Sequence, residues 1–228
     1  MEIRLAEDLM DANNRVAAKL KSHLSKKGIL TLNFLSSPGA GKTTLIEKTL
    51  QRLKGLAKTA VIVGDVQTSR DKQRFEEGGF DAVQINTEGG CHLTAPMVEK
   101  ALDSLELDAL EILFIENVGN LVCPAGFQLG EDMKVVLLST TEGDDKPGKY
   151  PAAFFSAQAM IITKIDLLAL TNFDLDFAKK DALRINPKLK IFEVSSLKGE
   201  GMVDWVDWLL HRAKRKRRDL KLPDGCTL

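Results

Sequence analysis

Short apolar runs recur along the chain, separated by stretches whose apolar residues fall at three- and four-residue spacing. Over residues 1–27, Ile3, Leu5, Leu9, Ala12, Val16, Ala17, Leu20 and Leu24 keep helical spacing while Lys and Glu fill the other face. That pattern predicts an amphipathic helix packed on a domain flank. Strand-like runs follow at 29–35, 60–64, 82–86, 110–115, 133–139, 160–162 and 190–194. Helical spacing lies between them at Leu45, Ile46, Leu50 and Leu53, over 69–77, and at Leu93, Met97, Ala101 and Leu105. It returns over 173–183 and over 202–214, where Val206, Leu209 and Leu210 face inward, and Phe154 and Phe155 open a short helix or turn. Strands alternating with helices predict an α/β fold with a mainly parallel, seven-stranded sheet and right-handed crossovers. The loops after such strands share one edge, where ligands bind.

The loop after the first strand reads Ser36-Ser37-Pro38-Gly39-Ala40-Gly41-Lys42-Thr43-Thr44. It meets the G-x-x-x-x-G-K-[ST] spacing with Ser36 in place of the first glycine, between a strand and a helix, which makes it a P-loop. Small residues at Ser37, Gly39, Ala40 and Gly41 let successive N–H groups point at phosphate oxygens, and the positive end of the following helix adds to the field. Lys42 supplies a cation for the outer phosphates, Thr43 a hydroxyl for Mg²⁺, and Thr44 continues the cradle. Asp65 ends the second strand and Glu116 the fourth, positions from which a carboxylate can hold Mg²⁺ or orient water. A helix cap or a loop acid would use the same residue at Asp65. Gly119, three residues past Glu116, can offer its N–H to a γ-phosphate.

Thr163-Lys164-Ile165-Asp166 follows the sixth strand and resembles the N-K-x-D base-recognition motif, with Thr163 at the asparagine position. One carboxylate, here Asp166, can accept from both N1–H and the 2-amino group of guanine. Adenine lacks that donor pair and would leave the charge unsatisfied. Ser195-Ser196-Leu197, after the seventh strand, matches the loop whose backbone N–H groups contact the guanine carbonyl.

Two loops carry softer donors. Cys91 and His92 sit together in the glycine-rich loop after the third strand, and Cys123 lies four residues past Gly119. Thiolate and imidazole are ligands favoured by Zn²⁺ and Ni²⁺. A lone cysteine such as Cys123 is also a common buried hydrophobe. The shared sheet edge brings these loops beside the P-loop, which predicts one coupled site.

Composition narrows the setting. The 228 residues carry 32 basic and 32 acidic side chains, so no net charge attracts nucleic acid or anionic lipid. No apolar run of about eighteen residues spans a membrane. The first residues, Met1-Glu2-Ile3-Arg4-Leu5-Ala6-Glu7-Asp8, lack the apolar core of a signal peptide. Three cysteines without an export signal suggest free thiols in the reducing cytoplasm. The basic run Arg212 to Arg218 reads as a solvated helix end, residues 219–228 as a disordered tail, and Cys226 receives no role.

Together these motifs resemble the hydrogenase nickel-incorporation GTPases, the HypB family. The resemblance rests on Asn33 to Thr43, Gly64-Asp65-Val66-Gln67-Thr68, Gly90-Cys91-His92-Leu93, Glu116 to Ala125, and Thr141 to Pro147 with Lys149-Tyr150-Pro151. It implies a single G domain over 1–228, of the dimerising (SIMIBI-type) class of P-loop GTPases. It also implies cleavage of GTP to GDP and phosphate, with Cys91, His92 and Cys123 as Ni²⁺ or Zn²⁺ ligands and GTP drawing two subunits into a homodimer around the metal. A nickel-binding accessory metallochaperone and the hydrogenase large subunit are the implied partners. Many members begin with a cysteine-rich nickel motif, whereas the first 90 residues here contain no cysteine and His23 alone, so N-terminal nickel storage is not expected. Hydrolysis is expected to be slow, because neither an arginine finger nor a water-positioning glutamine stands at the usual places. The rival readings are a urease-type nickel GTPase, an ATP-dependent small-molecule kinase with core cysteines, and a non-catalytic nucleotide-gated metal-binding module. The urease-type proteins generally carry Cys-Pro-His where this chain has Cys123-Pro124-Ala125.

Overall fold

A computed structural model describes residues 5–65 and 70–220. Residues 1–4 of the expected amphipathic helix, residues 66–69 after Asp65, and residues 221–228 with Cys226 lie outside the described residues. The strands are β1 (Leu30–Leu35), β2 (Thr59–Asp65), β3 (Asp81–Asn86), β4 (Ile112–Glu116), β5 (Met133–Ser139), β6 (Ala159–Thr163) and β7 (Lys190–Val194). They form one sheet in the order β3-β2-β4-β1-β5-β6-β7, and every pairing is parallel. The helices are α1 (Leu5–Lys26), α2 (Lys42–Leu53), α3 (Arg70–Glu77), α4 (Ala95–Leu102), α5 (Cys123–Gly126), α6 (Lys146–Lys149), α7 (Pro151–Ser156), α8 (Leu175–Ile185) and α9 (Met202–Asp219), with a 3-10 turn at Ile165–Leu170.

Both faces of the sheet are covered, which is why its central strands are nearly continuous apolar runs. Alternate residues of each strand point to opposite faces. Leu30, Leu32 and Phe34 of β1 join Ile112 and Phe114 of β4 under α2 and α9. Leu113 and Ile115 point the other way, onto α1 and α4, and Val136 and Leu138 of β5 onto α7 and α8. Trp205 anchors α9: it is fully buried, meets Phe34 and Phe192 edge-on, and donates its indole N–H to Thr49 Oγ1 of α2 at 2.9 Å. This packing seats α2, and with it the loop that opens α2.

In the structure α1 flanks the sheet through its C-terminal half, whereas Leu9 of the expected apolar face is exposed. Ala17, Leu20 and Leu24 are buried against the α4 side of the core. Asn13 locks it by donating to Gln128 O at 2.8 Å and accepting from Ala95 N at 2.7 Å. The basic run is less solvated than its composition suggests. Lys216 donates to Asp132 Oδ2 at 2.6 Å and to Ile29 O at 2.7 Å, and Arg217 is buried 3.9 Å from Glu111. Their long stems reach back over the sheet end and place the charges on partners. Residue 219 completes α9 and Leu220 caps it, and the rest of the expected tail lies outside the described residues. Two short helices, α5 and α6, lie where sequence periodicity is too brief to register. Among the described residues no helix is long and apolar enough to cross a membrane.

Candidate functional site

The carboxyl ends of β1, β2 and β4 open onto a cleft of about 590 Å³ lined by Ser36 to Thr44, Gly64, Asp65, Glu116 and Gly119. Lys42 and Thr43 are the first residues of α2 and lie at its positive end. Lys42 Nζ stands 3.4 Å from Glu116 Oε1, and Thr43 donates its hydroxyl to the same oxygen at 2.6 Å. Glu116 is almost wholly buried, and its other oxygen, Oε2, has no hydrogen-bond partner among the described residues. Burial pushes its carboxyl pKa up, opposed by the Lys42 ammonium and the Thr43 hydroxyl. An orphaned carboxylate oxygen beside a hydroxyl and a phosphate cradle fits a magnesium ion and its water shell. Asp65 lines the same cleft from β2.

Beside Gly41 and Thr44 a second cavity of about 290 Å³ is lined by Thr163, Lys164, Asp166, Leu167, Ser196 and Leu197. Its apolar walls with one carboxylate suit a planar base. Thr163 lines this cavity, but its hydroxyl is committed elsewhere. It is buried and donates to Ala40 O at 2.7 Å, bracing the P-loop. Lys164 adopts a left-handed backbone (φ 59°) and sends its ammonium to Gly39 O at 2.8 Å and Thr141 Oγ1 at 3.2 Å. The base-side motif thus clamps the phosphate loop. Ser195 is buried at the start of this loop. Its N–H is committed to Glu200 O at 3.0 Å and its hydroxyl oxygen accepts from Lys198 N at 3.1 Å, so it shapes the loop from beneath. The turn that follows needs glycine. Gly201 has φ +69°, and a Cβ there would meet Glu193 O at 1.9 Å.

The soft donors converge. Cys91 Sγ, His92 and Cys123 Sγ offer atoms that all lie within 4.8 Å of one another, with Cys91 Sγ 3.4 Å from His92 Nδ1. A tetrahedral Ni²⁺ or Zn²⁺ shell needs donors about 3.3–3.8 Å apart, given metal–ligand lengths of ~2.0–2.3 Å, so small side-chain movements suffice. Phe127 packs on the imidazole with ring centroids 3.9 Å apart. Burial lowers the His92 pKa, which keeps a neutral nitrogen ready to ligate. The Cys91 pKa is raised, first by its hydrogen bond with Cys123, then by burial and by charge repulsion from that thiol. Two adjacent thiols therefore resist ionising together until a cation joins them. Ni²⁺ or Zn²⁺ affinity is expected to rise about tenfold per pH unit for each proton released, between about pH 6.5 and 8.5. The slope belongs to thiol ionisation, since burial already keeps His92 neutral there. Competition titrations across that range check this, and a flat profile would remove the thiols from the ligand set.

The two centres are joined by backbone. Ser36 and Asn120 form an antiparallel bridge, Asn120 Nδ2 donates to Cys91 O at 3.4 Å, and Asn120 Oδ1 accepts from Val122 N at 2.8 Å. Gly119 lies against the P-loop: a Cβ there would stand 3.1 Å from Pro38 Cα. Sequence reasoning missed Asn120 as a link because a polar residue in a loop carries no pattern. It also missed two cations beside the P-loop. Lys146 donates to Ser37 Oγ at 3.1 Å and pairs with Glu142 at 3.2 Å. Arg74 reaches Thr44 Oγ1 at 3.3 Å and pairs with Glu47. Lys146 lies in the Thr141 to Pro147 segment, so its sequence signal was present without a role attached.

Residues 30–193 match the family described as CobW/HypB/UreG, nucleotide-binding domain. The chain is 50% identical over 202 residues to the hydrogenase maturation factor HypB of Escherichia coli (strain K12), covering 89% of this chain and 70% of that one. It is 42% identical over 217 residues to the hydrogenase/urease maturation factor HypB of Helicobacter pylori (strain J99), covering 93% and 89%. The crystal structure of HypB from Helicobacter pylori in complex with nickel superposes with a TM-score of 0.85 at 42% identity, over 90% of this chain and 96% of that one.

Proposed function

The chain belongs to the CobW/HypB/UreG family and, within it, to the HypB hydrogenase maturation GTPases, and on that premise we propose that it is a GTP-hydrolysing metallochaperone. It would bind nickel, or zinc in its place, and deliver nickel during [NiFe]-hydrogenase maturation, with metal affinity and dimerisation set by the nucleotide. One observation carries the reading: a Cys91–His92–Cys123 donor cluster is tied by Asn120 to the first residue of a P-loop.

In this reading the N–H groups of Ser37 to Thr44 hold the phosphates and Lys42 neutralises the outer ones. Asp166 reads guanine, while Ser196 and Leu197 close over the base. Thr43 and Glu116, with Asp65, would hold Mg²⁺, which when bound neutralises charge on the phosphate oxygens. Gly119, packed on Pro38, is placed to respond to a γ-phosphate, and its loop runs on to Cys123. Three ligands per chain fall one short of a tetrahedral shell, and a thiolate from a second subunit could complete it. A nickel-binding accessory protein and the hydrogenase large subunit are the proposed donor and acceptor.

The test is Ni²⁺ affinity and oligomeric state measured with GDP and with a non-hydrolysable GTP analogue. We expect dimers with the analogue and monomers with GDP, and metal affinities that differ by about 5- to 150-fold, the usual range of coupling between two sites. Identical values of both quantities would overturn the switch.

A further inference from the structure

Resting on that switching reading, we infer that Asn117 is the positioning residue through which the nucleotide-facing loop and the metal-bearing loop move together. Asn117 follows Glu116 at the end of β4 and is 1% exposed. Its side-chain oxygen accepts two backbone N–H groups, from Leu93 at 3.1 Å and from Val118 at 3.0 Å. Leu93 directly follows the donors Cys91 and His92. Val118 directly precedes Gly119, which packs on the P-loop. One oxygen therefore holds the next peptide of each loop.

The amide cannot release one loop cheaply. Its Nδ2 donates to Asn33 Oδ1 at 3.1 Å, and Asn33, in the middle of β1, is fully buried. Asn117 and Val118 are both buried, so a displaced Val118 N–H leaves a buried donor unpaired. The less costly course is for the amide to follow Val118 and draw Leu93 with it. The same network extends to the other metal-bearing segment. Asn33 Nδ2 donates to Glu131 Oε1 at 3.3 Å, Glu131 lies 3.8 Å from Lys134 Nζ, and Lys134 donates to Ala125 O of α5 at 2.7 Å. Cys123 is the first residue of α5. Four buried polar side chains, Asn33, Asn117, Glu131 and Lys134, thus connect both halves of the donor cluster through the strand that leads into the P-loop. An apolar core would have served stability as well.

The experiment compares wild type with Asn117→Ser, a side chain too short to bridge both loops. Ni²⁺ affinity is measured with GDP and with a non-hydrolysable GTP analogue. The ratio of the two affinities should fall toward one in the variant, by up to about tenfold. By reciprocity the effect of Ni²⁺ on analogue affinity should fall by the same factor. A merely structural residue would change melting temperature or both affinities alike and leave the ratio intact, so an intact ratio overturns the inference. A wild-type ratio of one would instead overturn the switching reading, and this inference with it. Should Asn117→Ser fail to fold, amide hydrogen exchange of the wild-type protein decides. The Leu93 and Val118 N–H groups should change protection together between the two nucleotide states. A change in one without the other overturns the inference.

Discussion

Replacing Cys123 with alanine is expected to weaken Ni²⁺ and Zn²⁺ binding by more than about 100-fold while leaving nucleotide affinity close to wild type. Loss of an outer-shell partner of a metal ligand costs about 10- to 100-fold, and loss of a ligand itself exceeds that. The remaining donors, Cys91 and His92, are neighbours in one loop and cannot surround a cation. The change should stay local. Cys123 opens α5, whose seat depends on buried Pro124 and Ala125 and on the Lys134 bond to Ala125 O, none of which the substitution removes. It lines neither the phosphate cleft nor the base cavity. A second signature distinguishes ligand loss from disorder. The thiol hydrogen bond of Cys123 is the first cause of the raised Cys91 pKa, so without it Cys91 should ionise at lower pH. Titration calorimetry with each nucleotide, together with the pH course of Cys91 alkylation, measures both effects. Equal Ni²⁺ affinity in the variant would sink the metal assignment.

The sequence made the frame and the reactive loops legible because both obey short-range rules. Seven strands declared themselves as apolar runs, since a parallel sheet covered on both faces admits few polar residues. The P-loop declared itself by spacing, and the sheet edge then predicted that Cys91, His92 and Cys123 would meet. What stayed hidden depends on contacts far apart in the chain. Asn33 sits in a strand and Asn117 in a loop, 84 residues apart, and nothing local predicts that their amides bond. Thr163 stands at the asparagine position of the base motif, and its spacing does not announce that its hydroxyl braces Ala40. The Ser195 N–H closes its own loop onto Glu200, a contact that residue type alone does not announce. The basic run on α9 reads as solvated by composition, yet Lys216 finds Asp132, 84 residues earlier. Charged and amide groups choose partners by three-dimensional proximity, which periodicity does not encode.

Lys42→Met should lower GTP hydrolysis by about 10²- to 10³-fold or more, the effect of removing one fixed charge from developing phosphate negativity. Two losses combine here. The ammonium disappears from the mouth of the phosphate cradle, and Glu116 loses the counter-charge 3.4 Å away that opposes its desolvation. Its carboxyl pKa then rises further above the ordinary glutamate value, so at neutral pH more of it carries a proton and fewer molecules can hold Mg²⁺ and its water. Raising Mg²⁺ concentration should restore part of the lost rate. Stability without nucleotide should change with pH in a defined direction. A buried acid with a raised pKa binds its proton more tightly folded than unfolded, so its contribution is greatest at low pH. That contribution is lost as pH rises from the ordinary glutamate value through the raised one. The variant extends that window upward, and its melting temperature should therefore fall more steeply toward neutral pH than that of wild type. Methionine keeps the length of the lysine stem, so α2 and its packing under Trp205 are retained. Phosphate release assays with varied Mg²⁺ and melting curves across pH test the two losses separately. Wild-type hydrolysis in the variant would show that Lys42 does not act on the phosphates. An unchanged melting profile would show that Lys42 does not govern the charge of Glu116.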